Sequence, residues 1–164
     1  MKRTVIKLKK VREIPGFCGP ASLESLLHYY GVNLSQKQIA KLVHAKKYAG
    51  TSDFGTNHKD IIAALKKLGF SVVARDHGTW QELKKLTEKG IPVLVGWFTL
   101  TGVPDDHFSL AYKVTNQHVY LMDPEIAKTR KMSKEKFLGL WWDMDTPKNY
   151  RVDKWSLYIQ SKKR

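Results

Sequence analysis

Two kinds of hydrophobic spacing divide the sequence, and their order limits the folds that the chain can adopt. Up to residue 90, apolar residues mostly recur at helical spacing, beginning with Leu23, Leu26, Leu27 and Tyr30 at positions i, i+3, i+4 and i+7. From Ile91 onward, β-branched and aromatic residues dominate in short runs. Helices gathered first and strands gathered later predict an α+β fold, in which N-terminal helices pack on an antiparallel β-sheet.

Capping residues and turn residues set the expected boundaries of these elements. The first helix is predicted to have Pro20 at its first helical position and to end at Gly31. Four later helices are predicted from N-cap signals, which are Ser35 with Gln38, Asn57, Thr79 with Glu82, and Ser133. The predicted strands cover residues 70–74, 91–98, 108–114, 118–122 and 155–159, with a tight turn at Asn116-Gln117.

Length and composition predict one domain over residues 1–164, because 164 residues with 42% hydrophobic content can bury one core. The longest apolar run, residues 91–98, is far shorter than the ~20 residues of a membrane-spanning helix. The basic N-terminus alternates charged and apolar residues, unlike a secretory signal. One cysteine excludes an internal disulfide, and a reactive thiol survives best in a reducing compartment, so a soluble cytoplasmic protein is expected.

The net charge of +14, from 29 basic and 15 acidic residues, attracts anionic partners. Three explanations are open, which are solubility of exposed faces, attraction of an acidic substrate or membrane surface, and binding of nucleic acid. The lysines are scattered in pairs along the chain and no nucleic-acid motif accompanies them. We therefore expect no specific nucleic-acid partner.

Cys18 stands where a predicted turn enters the first helix, in the segment Phe17-Cys18-Gly19-Pro20. Unpaired N–H groups and partial positive charge at a helix N-terminus favour the thiolate, which is the reactive form of cysteine. Cys18 is therefore a candidate nucleophile. A lone cysteine is also commonly a small buried hydrophobe, so the rest of the sequence has to decide between the two interpretations.

His107 and Asp123 are the candidate partners of this thiol. His107 lies where a polar turn meets a predicted strand, and Asp123 ends the next strand. The turn at Asn116-Gln117 makes these strands antiparallel neighbours, so residues 107 and 108 are expected opposite roughly 125 and 124. His107 and Asp123 should lie close together, as the base and the orienting carboxylate that a cysteine hydrolase needs.

Taken together, these segments resemble the papain-like cysteine peptidase family that cleaves double-glycine leader peptides in bacteriocin exporters, and its free-standing relatives. The likeness extends from about residue 11 to about residue 159 and rests on residues 18–23, 29–31, 50–52, 106–110 and 120–124. It implies a papain-like fold in a free-standing member of the family, with no cofactor. It also implies a peptide or protein substrate, a separate transporter as partner in leader processing, and catalytic roles for Cys18, His107 and Asp123.

Two positions depart from the family pattern. Peptide-cleaving members have a glutamine about six residues before the cysteine, and its amide helps form the oxyanion hole, but here this position holds Arg12. The Arg12 guanidinium can donate to an oxyanion beside the Cys18 backbone N–H. Pairing with Glu13 and facing solvent are the alternatives. Asp106 replaces the usual glycine before the histidine, where a carboxylate either stabilises an imidazolium or is solvated.

Three functions stay open at this point. The first is a peptidase or amide hydrolase that acts through a Cys-His-Asp triad and an acyl-enzyme intermediate. The second is acyl transfer, as in papain-like γ-glutamyl transferases, which uses the same intermediate. The third is a catalytically weak or inactive peptide-binding domain, for which the missing glutamine is the main argument.

The other histidines and the tryptophans point to no further chemistry. No metal site is expected, because no histidine has a partner at metal-ligand spacing, and His28, His44, His58, His77 and His118 are expected at core or surface positions. The tryptophans are expected mostly in the core. Trp97 and Trp142 are the two that can line a substrate groove.

Overall fold

The computed structural model describes residues 4–47, 54–101, 105–145 and 150–162. Its α-helices within these ranges are α1 (Cys18–Tyr29), α2 (Gln36–Leu42), α3 (His58–Lys67), α4 (Trp80–Glu88) and α5 (Lys134–Leu140). The strands within the same ranges are β1 (Lys46–Lys47), β2 (Phe54–Gly55), β3 (Phe70–Arg75), β4 (Val93–Thr99), β5 (Asp105–Val114), β6 (His118–Asp123), β7 (Lys128–Ser133), β8 (Trp142–Asp145), β9 (Tyr150–Asp153) and β10 (Ser156–Lys162). The family resemblance at residues 50–52 lies outside the described residues.

The later helices begin at the predicted caps. The Ser35 hydroxyl accepts a hydrogen bond from the Gln38 backbone N–H, and the Gln38 side chain accepts one from the Ser35 N–H, which completes a capping box for α2. Thr79 and Ser133 accept in the same way at the starts of α4 and α5, and Asn57 is the N-cap of α3. These local hydrogen bonds explain why the helix starts could be predicted from sequence.

The first helix begins earlier than predicted. It starts at Cys18, two residues before Pro20, and Phe17 at the N-cap contributes no side-chain hydrogen bond to its N-terminus. Pro20 therefore lies inside the first turn, where its missing N–H costs no intrahelical bond. The consequence is that Cys18 is part of the first helical turn, among N–H groups that have no intrahelical acceptor.

Six strands form an antiparallel sheet in the order β3-β10-β4-β5-β6-β7, which confirms the α+β prediction. In its centre, β5 pairs with β4 through Trp97↔His107 and with β6 through Leu110↔Met122. In an antiparallel pair, moving three residues back from Leu110 to His107 corresponds to moving three residues forward from Met122. Residue 125 therefore lies opposite His107, as predicted.

Apolar side chains cover both faces of this sheet. Alternate residues of a strand point to opposite faces, and the buried residues accordingly form two clusters. One cluster joins α1, α2 and α3 to the sheet through Leu94, Leu110 and Leu157. The other joins α4 and α5 to it through Val95 and Ala111. No helix in the described part of the chain combines the length and the apolar character that crossing a bilayer requires.

The strands β7, β8 and β9 were not predicted. In β7, Met132 is the one buried side chain among otherwise charged or polar residues, so the alternation that marks a half-buried strand is missing. In β8, the two residues that are buried are Asp143 and Asp145, which no hydrophobic pattern can detect. The β8–β9 hairpin lies next to β4 and β5, where it covers the region around the start of β5.

Candidate active site

The N-terminus of α1, the start of β5 and the end of β6 meet at one place, and each carries one predicted site residue. These residues are Cys18, His107 and Asp123, so the structure brings the predicted triad together. A buried hydrogen bond of 3.2 Å from the Ser22 hydroxyl to the Phe108 carbonyl attaches α1 to β5, one residue beyond His107. The helix and the strand therefore hold the thiol and the imidazole in a fixed relation.

Gly19 allows this close approach of α1. A Cβ atom at Gly19 would lie 3.0 Å from the Thr56 hydroxyl oxygen and 3.5 Å from the Phe108 ring, so a larger residue would push the start of the helix outward. Because Cys18 is the preceding residue, that displacement would move the sulfur as well. The glycine after the cysteine is thus explained by packing.

His107 and Asp123 form a buried hydrogen bond of 2.6 Å between Nε2 and Oδ1. The same Oδ1 atom accepts the Glu125 backbone N–H at 3.0 Å, and Oδ2 accepts the Nε–H of Arg130. Burial by itself raises the pKa of Asp123, but the hydrogen bonds and charges of His107 and Arg130 outweigh it and hold the pKa below the usual carboxyl value. Asp123 is therefore an ionised acceptor that fixes the orientation of the imidazole.

The Cys18 side chain is a hydrogen-bond partner of His107. Since Nε2 of His107 is bound to Asp123, Nδ1 is the ring nitrogen left for the sulfur. Burial lowers the pKa of His107, but the hydrogen bonds to Asp123 and Cys18 outweigh it and raise the pKa to about 10. The imidazole is thus protonated at neutral pH, and a cation beside the sulfur favours the thiolate. Cys18 is partly exposed, so a substrate can reach it.

Trp97 supports the imidazole from the neighbouring strand. Its ring lies edge-on to His107 with a centroid separation of 5.4 Å, and its indole N–H donates to the Ser109 hydroxyl at 3.0 Å. Trp97 is 1% exposed, so it packs behind the site and lines no groove. Trp142 is only partly buried and stacks on Phe98, which leaves it as the tryptophan that can meet a ligand.

Arg12 has partners other than those considered from the sequence. Its guanidinium donates to the backbone carbonyls of Glu125 at 3.0 Å and Ile126 at 3.2 Å, in the turn that follows Asp123. The exposed side chain therefore braces the β6–β7 turn, and it forms no ion pair with Glu13 within the described part of the chain. The role of Arg12 as an oxyanion donor stays a prediction, and these two hydrogen bonds engage both terminal nitrogens of its guanidinium with the turn.

Glu13, which the sequence suggested only as a partner of Arg12, lies near this site. Its backbone N–H donates to the Pro124 carbonyl at 2.9 Å, which places it beside the end of β6. Burial raises the pKa of the Glu13 carboxyl, the charge of His107 opposes this, and the charges of Asp123 and Glu125 add to it. The signal available in the sequence was its place next to Arg12, the position at which the family resemblance leads us to expect a glutamine.

A second histidine lies among carboxylates on the other side of the β5 start. His58 Nε2 is 2.6 Å from Asp143 Oδ2, its backbone N–H donates to Asp145, and its ring stacks on Trp155. Asp106 accepts the Met144 N–H of β8 at 2.8 Å. Asp106 is thus a half-buried link to the β8–β9 hairpin, whereas the sequence suggested an imidazolium partner or a solvated group.

Asp106 is the member of this cluster whose pKa is clearly shifted. Burial raises the pKa of Asp106 to about 6, the Met144 N–H opposes the rise, and the neighbouring charge of Asp143 adds to it. His58, expected only as a core or surface residue, is 6% exposed and holds the start of α3 against β8. The cluster therefore supports the strand that carries His107.

One group of described residues has donor atoms close enough for a metal ion, namely His107, Asp123 and Glu125, whose atoms lie within 4.8 Å of one another. Arg130 already donates to both carboxylates of this group. A guanidinium in that place supplies the positive charge that a metal ion would bring. These residues are therefore accounted for by the hydrogen-bond network.

Comparisons with known proteins find a matching family and similar sequences. The sequence model of the Peptidase C39 family matches residues 16–144. The Lactococcin-G-processing and transport ATP-binding protein LagD of Lactococcus lactis subsp. lactis is 29% identical over 120 residues, which are 72% of this chain and 15% of that protein. The sublancin-168-processing and transport ATP-binding protein SunT of Bacillus subtilis is 24% identical over 123 residues, which are 73% of this chain and 16% of that protein.

A solved structure shares the fold. The crystal structure of the peptidase domain of Streptococcus ComA, a bi-functional ABC transporter involved in a quorum sensing pathway, superposes with a TM-score of 0.68 at 24% identity. The superposition covers 96% of this chain and 98% of that domain. The chain thus has the fold of a peptidase domain, while it spans about one sixth of the length of the transport proteins that it matches.

Proposed function

Because the chain belongs to the Peptidase C39 family, we propose that it is a cysteine peptidase that cleaves a peptide substrate through Cys18, His107 and Asp123. The observation that carries this proposal is the contact of Cys18 with a protonated His107 that is itself held by a buried Asp123. A nucleophile, a proton donor and an orienting carboxylate are the parts that thiol-dependent amide hydrolysis needs.

The proposed reaction has two stages. The Cys18 thiolate attacks the scissile carbonyl carbon, a C–S bond forms, and the carbonyl electrons move onto oxygen. The tetrahedral intermediate collapses as the C–N bond breaks and the His107 imidazolium gives its proton to the leaving amine, which leaves a thioester. Water then attacks the thioester while His107 takes its proton, and the C–S bond breaks to release the carboxyl product and Cys18.

Three features of the described residues favour this chemistry. The sulfur lies in the first turn of α1, where N–H groups without intrahelical acceptors can bind the oxyanion. Asp123 and Trp97 hold the His107 ring from two strands, so that little reorganisation is needed during proton transfer. The pKa of His107, raised to about 10 by Asp123 and Cys18 against the effect of burial, keeps it ready as an acid.

The substrate is proposed to be a leader peptide that a separate transporter handles, since LagD and SunT carry processing and transport in their names. The charge of +14 then attracts acidic segments of that peptide. Binding of an acidic peptide should weaken as salt is added, whereas unchanged binding between low and high salt would contradict this part of the proposal. A reducing cytoplasm is the proposed compartment, because it keeps the Cys18 thiol reduced.

The test of the proposed function is cleavage of a peptide that ends its leader in Gly-Gly. The parent should release the leader, Cys18→Ala should not, and His107→Ala should be slower by about 10²-fold or more, as expected when the proton donor is lost. Adding a primary amine reports whether an acyl group is transferred in place of hydrolysis. Cleavage that persists in Cys18→Ala would refute the proposal.

A non-catalytic peptide-binding domain is the second candidate, and the engagement of Arg12 with the β6–β7 turn favours it. Loss of one oxyanion donor costs about 10²–10³ in turnover, so a site without a replacement would bind far better than it cleaves. The two functions are separated by measuring affinity and turnover for the same peptide. Tight binding without cleavage by the parent supports the second candidate.

A further inference from the structure

We propose that Glu13 completes the oxyanion hole, donating a hydrogen bond from the O–H of its protonated carboxyl group, so that hydrolysis is favoured by mild acidity. This inference rests on the proposed function, because the oxyanion exists only if Cys18 attacks a carbonyl carbon. The proton stays on Glu13 throughout, so the residue stabilises charge and transfers nothing.

The backbone places Glu13 between the sheet and the start of α1. Its N–H is bound to the Pro124 carbonyl at 2.9 Å, directly after Asp123. On the other side, the Gln36 side chain bonds the carbonyl of Arg12 at 2.7 Å and the N–H of Ile14 at 2.9 Å, which fixes the residues before and after Glu13.

A tight turn then connects Glu13 to the sulfur. The Phe17 N–H donates to the Ile14 carbonyl at 2.7 Å, and Cys18 follows at once as the first residue of α1. The segment therefore runs from the end of β6 to the start of the helix in one short turn. Glu13 and Cys18 both interact with the same imidazole, since Cys18 is hydrogen-bonded to His107 and the charge of His107 acts on Glu13.

The Glu13 carboxyl is half-buried and has no hydrogen-bond or ion-pair partner among the described residues. A partly desolvated carboxyl without a partner is costly, and a ligand that accepts its proton in a hydrogen bond would offset that cost. The charged groups that act on it are His107 of β5, Asp123 of β6 and Glu125 of the following turn. These groups are in turn bonded to Cys18 of α1 and to Arg130 of β7.

The protonation state of Glu13 decides what it can do. As a carboxylate it has only acceptor oxygens and would repel an oxyanion, whereas the protonated group has one O–H to donate. Burial raises the pKa of Glu13, His107 opposes this, and Asp123 and Glu125 raise it further, so the protonated form persists to higher pH than in an exposed glutamate. Activity that depends on this donor should therefore fall as pH rises.

Two reactions at Cys18 separate an oxyanion donor from a group that only affects the thiol. The aldehyde N-acetyl-glycyl-glycinal adds to the sulfur and generates an oxyanion-like thiohemiacetal oxygen, whereas alkylation by iodoacetamide forms no oxyanion. Both are measured with the full chain from about pH 5 to about pH 8, because the raised pKa of Glu13 lies above the ordinary carboxyl value. The variants are Glu13→Gln, whose amide donates at every pH, Glu13→Ala, which cannot donate, and Arg12→Ala, which removes the other candidate donor.

The affinity of the parent for the aldehyde should fall as pH rises. The affinity of Glu13→Gln should not depend on pH in this way, and near pH 8 it should be at least about 10-fold higher than that of the parent. Glu13→Ala should bind weakly at all pH values, and Arg12→Ala should keep the pH profile of the parent. Alkylation rates should differ less than about threefold among the Glu13 variants. An aldehyde affinity unchanged in Glu13→Gln, or alkylation that changes in parallel with it, would overturn the assignment.

Peptide cleavage by the same variants separates this inference from the function on which it rests. If the parent cleaves a Gly-Gly peptide but Glu13→Gln does not gain turnover near neutral pH, the Glu13 assignment is wrong and the peptidase proposal stands. If no variant cleaves peptide while aldehyde binding still follows Glu13, the peptidase proposal is wrong and the donor assignment stands.

Discussion

The substitution Gly96→Ala tests whether the buried pair of His58 and Asp143 beside β5 is needed for the stability of this fold. Gly96 lies in β4, opposite Phe108, and a Cβ atom there would be 2.4 Å from Asp143 Oδ2 and 2.7 Å from its Cγ. Ordinary contacts of this kind are about 3.4 Å or longer, so Gly96→Ala must move the carboxylate by about 1 Å. That oxygen is the one bound to His58 at 2.6 Å.

The expected magnitude follows from this displacement. The Asp143 and His58 side chains are 3% and 7% exposed, and breaking a buried pair of this kind costs about 3–5 kcal/mol. For a chain of 164 residues, each kcal/mol lowers Tm by about 2–4 °C, so Gly96→Ala should melt about 10 °C below the parent. Thermal unfolding followed by circular dichroism measures this difference directly.

Two controls separate the clash from a general effect of alanine. Gly139 lies in α5, and a Cβ atom there would have no neighbouring atom within 4 Å, so Gly139→Ala should be neutral or more stable by up to about 1 kcal/mol. In an Asp143→Ala background the clashing oxygen is gone, and Gly96→Ala should then cost less than about 1 kcal/mol. A Gly96→Ala protein within about 1 kcal/mol of the parent, or equally destabilised in both backgrounds, would refute the reasoning.

Three further predictions concern the titrating and bracing groups. Asp123→Asn keeps an acceptor for His107 but removes the charge paired with Arg130, so it should unfold about 3 kcal/mol more easily in urea and cleave peptide at least about 10-fold more slowly. Burial raises the pKa of Asp106 to about 6, so the folded parent protein becomes more stable as pH falls through that value. In urea unfolding, Asp106→Asn should be about 1 kcal/mol more stable than the parent above about pH 7, after allowance for solvent screening, and equal to it below about pH 4. Arg12→Ala removes two hydrogen bonds to the β6–β7 turn, and amide hydrogen exchange there should be faster in the variant, whereas unchanged protection would contradict the bracing role.

Much of the fold could be predicted because local signals dominate in its helices. The capping box at Ser35 and Gln38, and the caps at Thr79 and Ser133, are interactions over three residues that any tertiary arrangement preserves. The start of α1 could not be placed in this way, since no side chain caps it. Its position at Cys18 depends on packing against Thr56, which is distant in sequence.

The meeting of His107 and Asp123 was predictable because one hairpin carries both residues. A tight turn and antiparallel pairing convert sequence separation into distance, and the bulge between Ala111 and Lys113 shifts the register only once on the way. The positions of Arg12 and Glu13 depend instead on which backbone edge the N-terminal segment meets. No local pattern encodes the contact with Pro124.

The β8–β9 hairpin escaped prediction because its buried residues are carboxylates. Hydrophobic patterning assigns Asp143 and Asp145 to the solvent-exposed face, because both are charged residues. Their burial is compensated by hydrogen bonds to His58, which belongs to a helix far away in the chain. Tertiary pairing of this kind overrides local preference. The same pairing explains Gly96, whose missing side chain leaves room for the carboxylate.

The most direct measurement of the central claim is the rate at which iodoacetamide alkylates Cys18 as a function of pH, in the parent and in His107→Ala. With the pKa of His107 raised to about 10 by Asp123 and Cys18 against the effect of burial, the imidazolium should persist beside the sulfur. The parent should therefore be alkylated faster than His107→Ala at neutral pH, and the ratio of the two rates should shrink as pH rises towards the pKa of His107. A parent profile that rises in the same way as that of His107→Ala would contradict the account.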